Sequence, residues 1–122
     1  MSGYSFDSNI LIDALNGHPA AHAEIVKIDE PWISRVTWIE VLSKEQGDTI
    51  ANIKVFLGGF AIDELDSEIA GHAAALRRER PRLKLADSII LASARARGRI
   101  LITRNLKDFP ANMPGIRIPY TL

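Results

Sequence analysis

The segment Ile100-Leu101-Ile102-Thr103 constrains the fold more than any other stretch of the chain. It is short, apolar at successive positions and rich in β-branching, as a strand must be when both faces of its sheet are covered. Gly98 stands before it and the polar run Arg104-Asn105-Leu106-Lys107-Asp108 follows it. Further short apolar runs, Tyr4–Phe6, Trp32-Ile33, Phe60-Ala61-Ile62 and Ile116–Ile118, read as strands. Between them the periodicity predicts helices over Asn9–Leu15, Ala20–Ile28, a stretch capped by Ser34 and running through Leu42, Thr49–Leu57, Asp66–Glu79 and Leu85–Arg97. Gly98 closes the last of these as a left-handed cap. Turn signals fall at Gly17-His18-Pro19, Gly47-Asp48 and Gly58-Gly59. This rhythm predicts a three-layer α/β/α domain with a short, mainly parallel central sheet of about four to five strands. Open sheets of that kind place their sites outside the carboxyl ends of the strands.

With 122 residues and no linker, repeat or low-complexity stretch, residues 1–122 read as a single domain. A composition of 47% hydrophobic and 25% charged residues excludes a disordered chain. No apolar run approaches the roughly 20 residues that span a bilayer. Met1 to Ser5 lacks the basic and apolar segments of a secretory signal. The absence of cysteine removes disulfides, thiolate metal sites and cysteine nucleophiles, and a reducing cytoplasm is the expected setting.

The net charge of zero hides an asymmetry. Residues 1–76 carry 4 Lys/Arg against 12 Asp/Glu, and residues 77–122 carry 11 against 3. The densest basic stretches are Arg77 to Lys84 and Arg95 to Arg99. Charge alone leaves two readings open: a solvated helix end with cations at its C-terminus, or a patch for phosphates.

Four carboxylates sit where a plain surface would not place them. Asp7 follows the first strand and could simply cap a helix. Glu40 lies in Val36-Thr37-Trp38-Ile39-Glu40-Val41-Leu42, beside Ile39 and one turn after Val36. Asp87 sits among Leu83, Ala86, Ile90, Leu91 and Ala94, the inward stripe of its helix. Asp108 belongs to the loop after the Ile100–Thr103 strand. In a parallel sheet Asp7 and that loop emerge at one edge, and the helices bearing Glu40 and Asp87 can lean over it. Converging carboxylates repel and call for a cation. Without cysteine or a plausible histidine set, the donors suit Mg²⁺ or Mn²⁺, ions adapted to phosphodiester hydrolysis. The basic half would then hold a polyanionic backbone.

These residues resemble the PIN-domain nucleases, and among them the VapC-like toxins of prokaryotic toxin–antitoxin pairs. The matching blocks are Phe6–Asp13, Ser34–Leu42, Leu85–Ala94 and Leu101–Phe109, in the family's order and over essentially the whole chain. The resemblance implies a metal-dependent endoribonuclease in which Asp7, Glu40 and Asp87 form the metal-binding cleft. Thr103 matches the family's hydroxyl residue at the end of the fourth strand, and Asn9 joins it in supporting the cleft. Asn105 stands where many relatives carry Asp, with Asp108 the nearby carboxylate, so the fourth ligand is one or the other. Asp7, Glu40, Asp87 and Asp108 are the catalytic candidates. Arg104, Arg78, Arg82 and Lys84 are the candidates to hold RNA phosphates. The resemblance further implies a homodimer, and a VapB-like antitoxin whose C-terminal segment covers the cleft within a hetero-oligomer.

Other signals are set aside. His18 and His22 share a helical spacing but flank Pro19 without a third ligand, and read as surface histidines. Gly58-Gly59 belongs to no phosphate-loop pattern. Asp13 could help position the first helix but reads as a surface residue, and Trp32 and Trp38 read as packing or interface residues. Two other functional classes stay open: a non-catalytic nucleic-acid-binding module, and a phosphotransfer domain, which lacks its second aspartate because Asn9 occupies that place. A DNA-directed nuclease would share the same acidic cleft.

Overall fold

A computed structural model describes residues 3–44 and 49–122. Met1-Ser2 and the expected Gly47-Asp48 turn lie outside the described residues. The elements run β1 (Tyr4–Phe6), α1 (Ser8–Leu15), α2 (Pro19–Val26), β2 (Pro31–Ser34), α3 (Arg35–Ser43) and α4 (Ile50–Leu57). Then come β3 (Ala61–Asp63), α5 (Ser67–Glu79), α6 (Leu85–Ala96), β4 (Ile100–Ile102) and β5 (Ile116–Arg117). The five strands pair in the order β3-β2-β1-β4-β5, all parallel. The sequence-based elements are all present, with ends displaced by one or two residues where caps and bridges decide them.

Two apolar clusters cover the two faces of the sheet. In β4, Leu101 packs with Ile69, Leu76, Ile90 and Leu91 of α5 and α6, while its neighbour Ile102 packs with Phe6, Ile10, Ile33 and Ile53 on the other side. Adjacent residues of one strand therefore serve opposite cores, which is why this run has no polar alternation. Seven consecutive residues of α6, Ser88 to Ala94, are buried, because α5, α3 and the sheet pack around it. The inward stripe read from the sequence was too narrow for this helix. A helix covered on all sides needs apolar or small residues all round, and Ala92, Ser93 and Ala94 supply the small ones.

Capping fixes the helices that approach the site. Asp7 is the N-cap of α1 and accepts from the Ser8 amide at 2.7 Å. Ser34 caps α3 by accepting from the Val36 amide at 3.1 Å. Gly98 takes φ +67°, so the chain can leave α6 and enter β4 without a Cβ clash. The loop after β4 is then delivered beside β1, whose Asp7 amide donates to the Ile102 carbonyl at 2.9 Å.

Candidate active site at the carboxyl edge of the sheet

Asp7 is 3% exposed at the end of β1, and both of its oxygens are held. Oδ1 takes the Ser8 amide, while Oδ2 accepts the Thr103 hydroxyl at 2.7 Å and the Asn9 side-chain amide at 3.3 Å. Ser8 also donates its hydroxyl to Glu40 Oε1 at 2.5 Å, linking α1 to α3. Asp7 is thus a helix cap and a pocket carboxylate at once. Burial pushes it up to about 6; hydrogen bonds from Thr103 and Ser8 oppose the rise, and the charges of Glu40 and Asp108 add to it.

Asp87 stands in the first turn of α6. Burial raises it to about 7, reinforced by the negative charges of Asp7 and Asp108, a side-chain hydrogen bond with Asp108, and the charge of Glu40. The loop after β4 brings in Asp108. Asn105 holds it by donating Nδ2 to Asp108 Oδ2 at 2.9 Å and accepting the Asp108 amide on Oδ1 at 3.3 Å. The Asn105 amide in turn donates to the Thr103 hydroxyl at 3.0 Å. The Asn105 side chain is therefore spent on shaping its own loop.

Asp7, Glu40, Asp87 and Asp108 act electrostatically on one another. Among the described residues, however, no three acidic or histidine side chains gather closely enough to ligate one ion. Like charges resist crowding. The setting of Glu40 differs from the sequence reading. Val36 and Trp38 pack into opposite cores and Ile39 is 54% exposed, so Glu40 lies at a boundary between the cores rather than on an apolar stripe.

Two expectations are corrected. Asp13 is buried, not superficial, because its partners come from remote parts of the chain. Arg104 donates to it from Nε at 2.6 Å and Nη2 at 2.8 Å, and the Tyr120 hydroxyl donates at 2.7 Å. Although burial works against the charge, the hydrogen bonds from Arg104 and Tyr120 hold Asp13 below the usual carboxylate range. The Arg104 fork is accordingly turned to Asp13 and not left free for a phosphate. Arg78 lines an apolar groove with Leu65, Pro81 and Leu85, and none of the four carboxylates lines it.

Arg82 lines a small pocket of about 130 Å³ with Arg80, Lys107 and Asp108. Among the described residues Arg80, Arg82, Lys84 and Lys107 take no part in an ion pair, whereas Arg35, Arg97, Arg99, Arg104 and Arg117 do. Sequence reading missed Ser8, Tyr120 and Lys107, and reached Arg80 only as part of the basic stretch Arg77 to Lys84. Only Ser8 carried a signal, its place between Asp7 and Asn9.

The structure is an open parallel α/β domain with repelling carboxylates at the carboxyl edge of its sheet. The PIN domain profile matches residues 4–111, and the chain belongs to that family. A toxin-antitoxin complex from Klebsiella pneumoniae contains a similar chain at 38% identity and TM-score 0.89, covering 98% of this chain and 99% of that one. DNA-bound VapBC from Salmonella typhimurium is similar at 24% identity and TM-score 0.80, covering 97% of each chain. FitAcB from Neisseria gonorrhoeae is similar at 20% identity and TM-score 0.78, covering 98% of this chain and 99% of that one. The last two bear on the fold alone. No functionally curated protein matches. No helix among the described residues is long and apolar enough to cross a membrane.

Proposed function

We propose that the chain is a divalent-metal-dependent endoribonuclease and the toxin of a toxin–antitoxin pair. The observation that carries this reading is the mutual repulsion of Asp7, Glu40, Asp87 and Asp108 at one sheet edge, with Asp7 and Asp87 pushed to about 6 and 7. Carboxylates that repel in this way call for a cation. Their oxygen-only donors fit Mg²⁺ or Mn²⁺, which are commonly held by one or two carboxylates together with water and substrate phosphate. That habit suits carboxylates that do not close a three-ligand set.

Asp7, Glu40 and Asp87 would hold the ion, with Asp108 beside them and Asn105 setting the Asp108 carboxylate. When bound, the ion neutralises phosphodiester charge and makes water a stronger acid. Thr103, Asn9 and Ser8 fix the direction of the Asp7 oxygens. One of the cleft carboxylates would assist deprotonation of the attacking water. Arg82, with Arg80, Lys107 and Lys84, holds neighbouring phosphates.

Residues 1–122 would form one PIN domain, acting in the cytoplasm as a homodimer. The likeness to a chain of a toxin-antitoxin complex supports a protein antitoxin, VapB-like by the sequence resemblance, as the partner. The test is cleavage of total cellular RNA, and of single-stranded DNA of mixed sequence, by purified protein. Mg²⁺, Mn²⁺ and EDTA are compared, beside Asp7→Asn. Discrete RNA fragments that require both metal and Asp7 are expected. Equal cutting of DNA would redirect the reading to a DNA nuclease, and RNA binding without cleavage to a binding module.

A further inference from the structure

A continuous chain of hydrogen bonds runs from Tyr120, in the segment after β5, to Asp7. Tyr120 and both donors of the Arg104 fork converge on Asp13. The Arg104 backbone amide donates to Asn9 Oδ1 at 3.2 Å. Asn9 donates from Nδ2 to Asp7 Oδ2 and to the Thr103 hydroxyl, each at 3.3 Å. Arg104 is also the residue between Thr103, which holds Asp7, and Asn105, which holds Asp108.

The placement of Asp13 and Asn9 makes this coupling effective. They lie four residues apart on α1, so they occupy one helical face. One grips the Arg104 side chain and the other its backbone, so residue 104 is fixed at both ends. A planar guanidinium held by two parallel bonds has little freedom to swing. Losing either grip would let the loop from Thr103 to Asp108 drift, and the Asp7 and Asp108 carboxylates would lose their common frame.

We propose that Asp13 and Tyr120 are positioning residues, which set the acidic cleft through Arg104 and Asn9 without touching it. The assignment rests on the nuclease reading for its catalytic consequence but not for its structural one. The test therefore measures both. Tyr120→Phe, Asp13→Asn and Asp13→Glu are compared with wild type for kcat and KM on a fluorescent RNA of mixed sequence with Mn²⁺. The side-chain amide NMR signals of Asn9 and Asn105 are recorded without metal.

Changes to groups that orient a metal-holding carboxylate commonly lower activity about 10- to 100-fold. A loss of that size in kcat is expected for Asp13→Asn, with KM unchanged. A smaller loss is expected for Tyr120→Phe, and partial recovery in Asp13→Glu. The Asn9 and Asn105 signals should shift in step with kcat. If Asp13→Asn does not fold, Tyr120→Phe decides, because it removes a single hydroxyl. Unmoved amide signals in folded variants overturn the proposal. So does a rise in KM alone, which would make Arg104 a phosphate-holding residue. If wild type cuts no RNA, the nuclease reading falls, and the amide signals alone decide the positioning role.

Discussion

Asp87 on α6 and Asp108 in the loop after β4 act on one another across the chain: burial, the charge of Asp7 and then the charge and side-chain hydrogen bond of Asp108 hold Asp87 up to about 7. Burial and the neighbouring charges of Asp7 and Glu40 make the Asp87 proton hard to remove. The cleft is therefore a place where the fold gives up stability at neutral pH.

This sets a pH dependence with a definite sign. A carboxyl group whose folded pKa lies above its unfolded value stabilises the fold while it is protonated, and loses that contribution as pH rises. For Asp7 the window runs from 3.8 to about 6, and for Asp87 from 3.8 to about 7. The buried Asp7 alone costs about 3 kcal/mol at pH 7 by this linkage. In EDTA, the contribution of these groups falls between pH 5 and pH 7.5, and Asp7→Asn melts above wild type at pH 7.5. Mg²⁺ or Mn²⁺ restores wild-type stability at pH 7.5 and does little at pH 5, where protons compete for the same oxygens. Thermal unfolding at both pH values, with metal and with EDTA, checks this. A wild type that gains nothing from metal at pH 7.5 would contradict it.

Asn105 offers a second route to the same electrostatics. Its amide bridges the side chain and backbone of Asp108, so Asn105→Asp replaces a donor by a charge. The metal-free variant should lose stability at pH 7.5 because a further carboxylate joins the group. Its affinity for Mn²⁺ should rise about tenfold, as ligand charge governs affinity at oxygen sites. Calorimetric titration reads both, and an unchanged affinity would place position 105 outside the ion's reach.

The fold was legible because its signals are local. The β-branched run at Ile100 to Thr103, the caps at Asp7 and Ser34, and Gly98 each declare an element from a few adjacent residues. Glu40 and Asp87 stood out because carboxylates among apolar residues are costly unless used, and Asp7 and Asp108 because they follow strands whose carboxyl ends share one edge. What stayed hidden depends on pairings between distant positions. Asp13 reads as a surface acid on a helix because Arg104 and Tyr120 lie 91 and 107 residues away. For the same reason Arg104 counts as a free cation in the sequence and is a paired one in the fold. Charge totals record how many cations a segment has, but not which of them find partners.

The unpaired cations give the next prediction. Arg80, Arg82 and Lys107 share a pocket with Asp108, whereas Arg78 lines the groove with Leu65 and Leu85. Arg82→Ala and Lys107→Ala should raise KM for RNA and reduce the salt slope of binding by about one unit for each phosphate no longer held. Arg78→Ala should leave the slope nearly unchanged. Binding of fluorescent RNA at several salt concentrations, with the Asp7→Asn protein as background to prevent cleavage, separates the two groups. Equal effects from all three would assign the phosphate track to a broader face.

Remote from the cleft, Arg99 tests the stability of the scaffold itself. Its guanidinium donates to the buried Asp63 at 2.6 Å and lies 3.8 Å from the Trp32 ring centre. Asp63 is 5% exposed, and its burial holds the carboxyl above the usual range in spite of Arg99. Arg99→Ala would leave that carboxyl with only the Arg97 guanidinium, 4.0 Å away, and uncover the ring. Removing one member of such a buried pair costs about 3–5 kcal/mol. Arg35 and Glu64 form a pair of similar chemistry on an exposed surface, with side chains 34% and 65% accessible. Solvent screens that pair, and Arg35→Ala should leave the urea midpoint nearly unmoved. The contrast is measurable in one denaturation series at pH 7.5. The Arg99→Ala loss should also shrink towards pH 4, where Asp63 takes up a proton and no longer needs its partner.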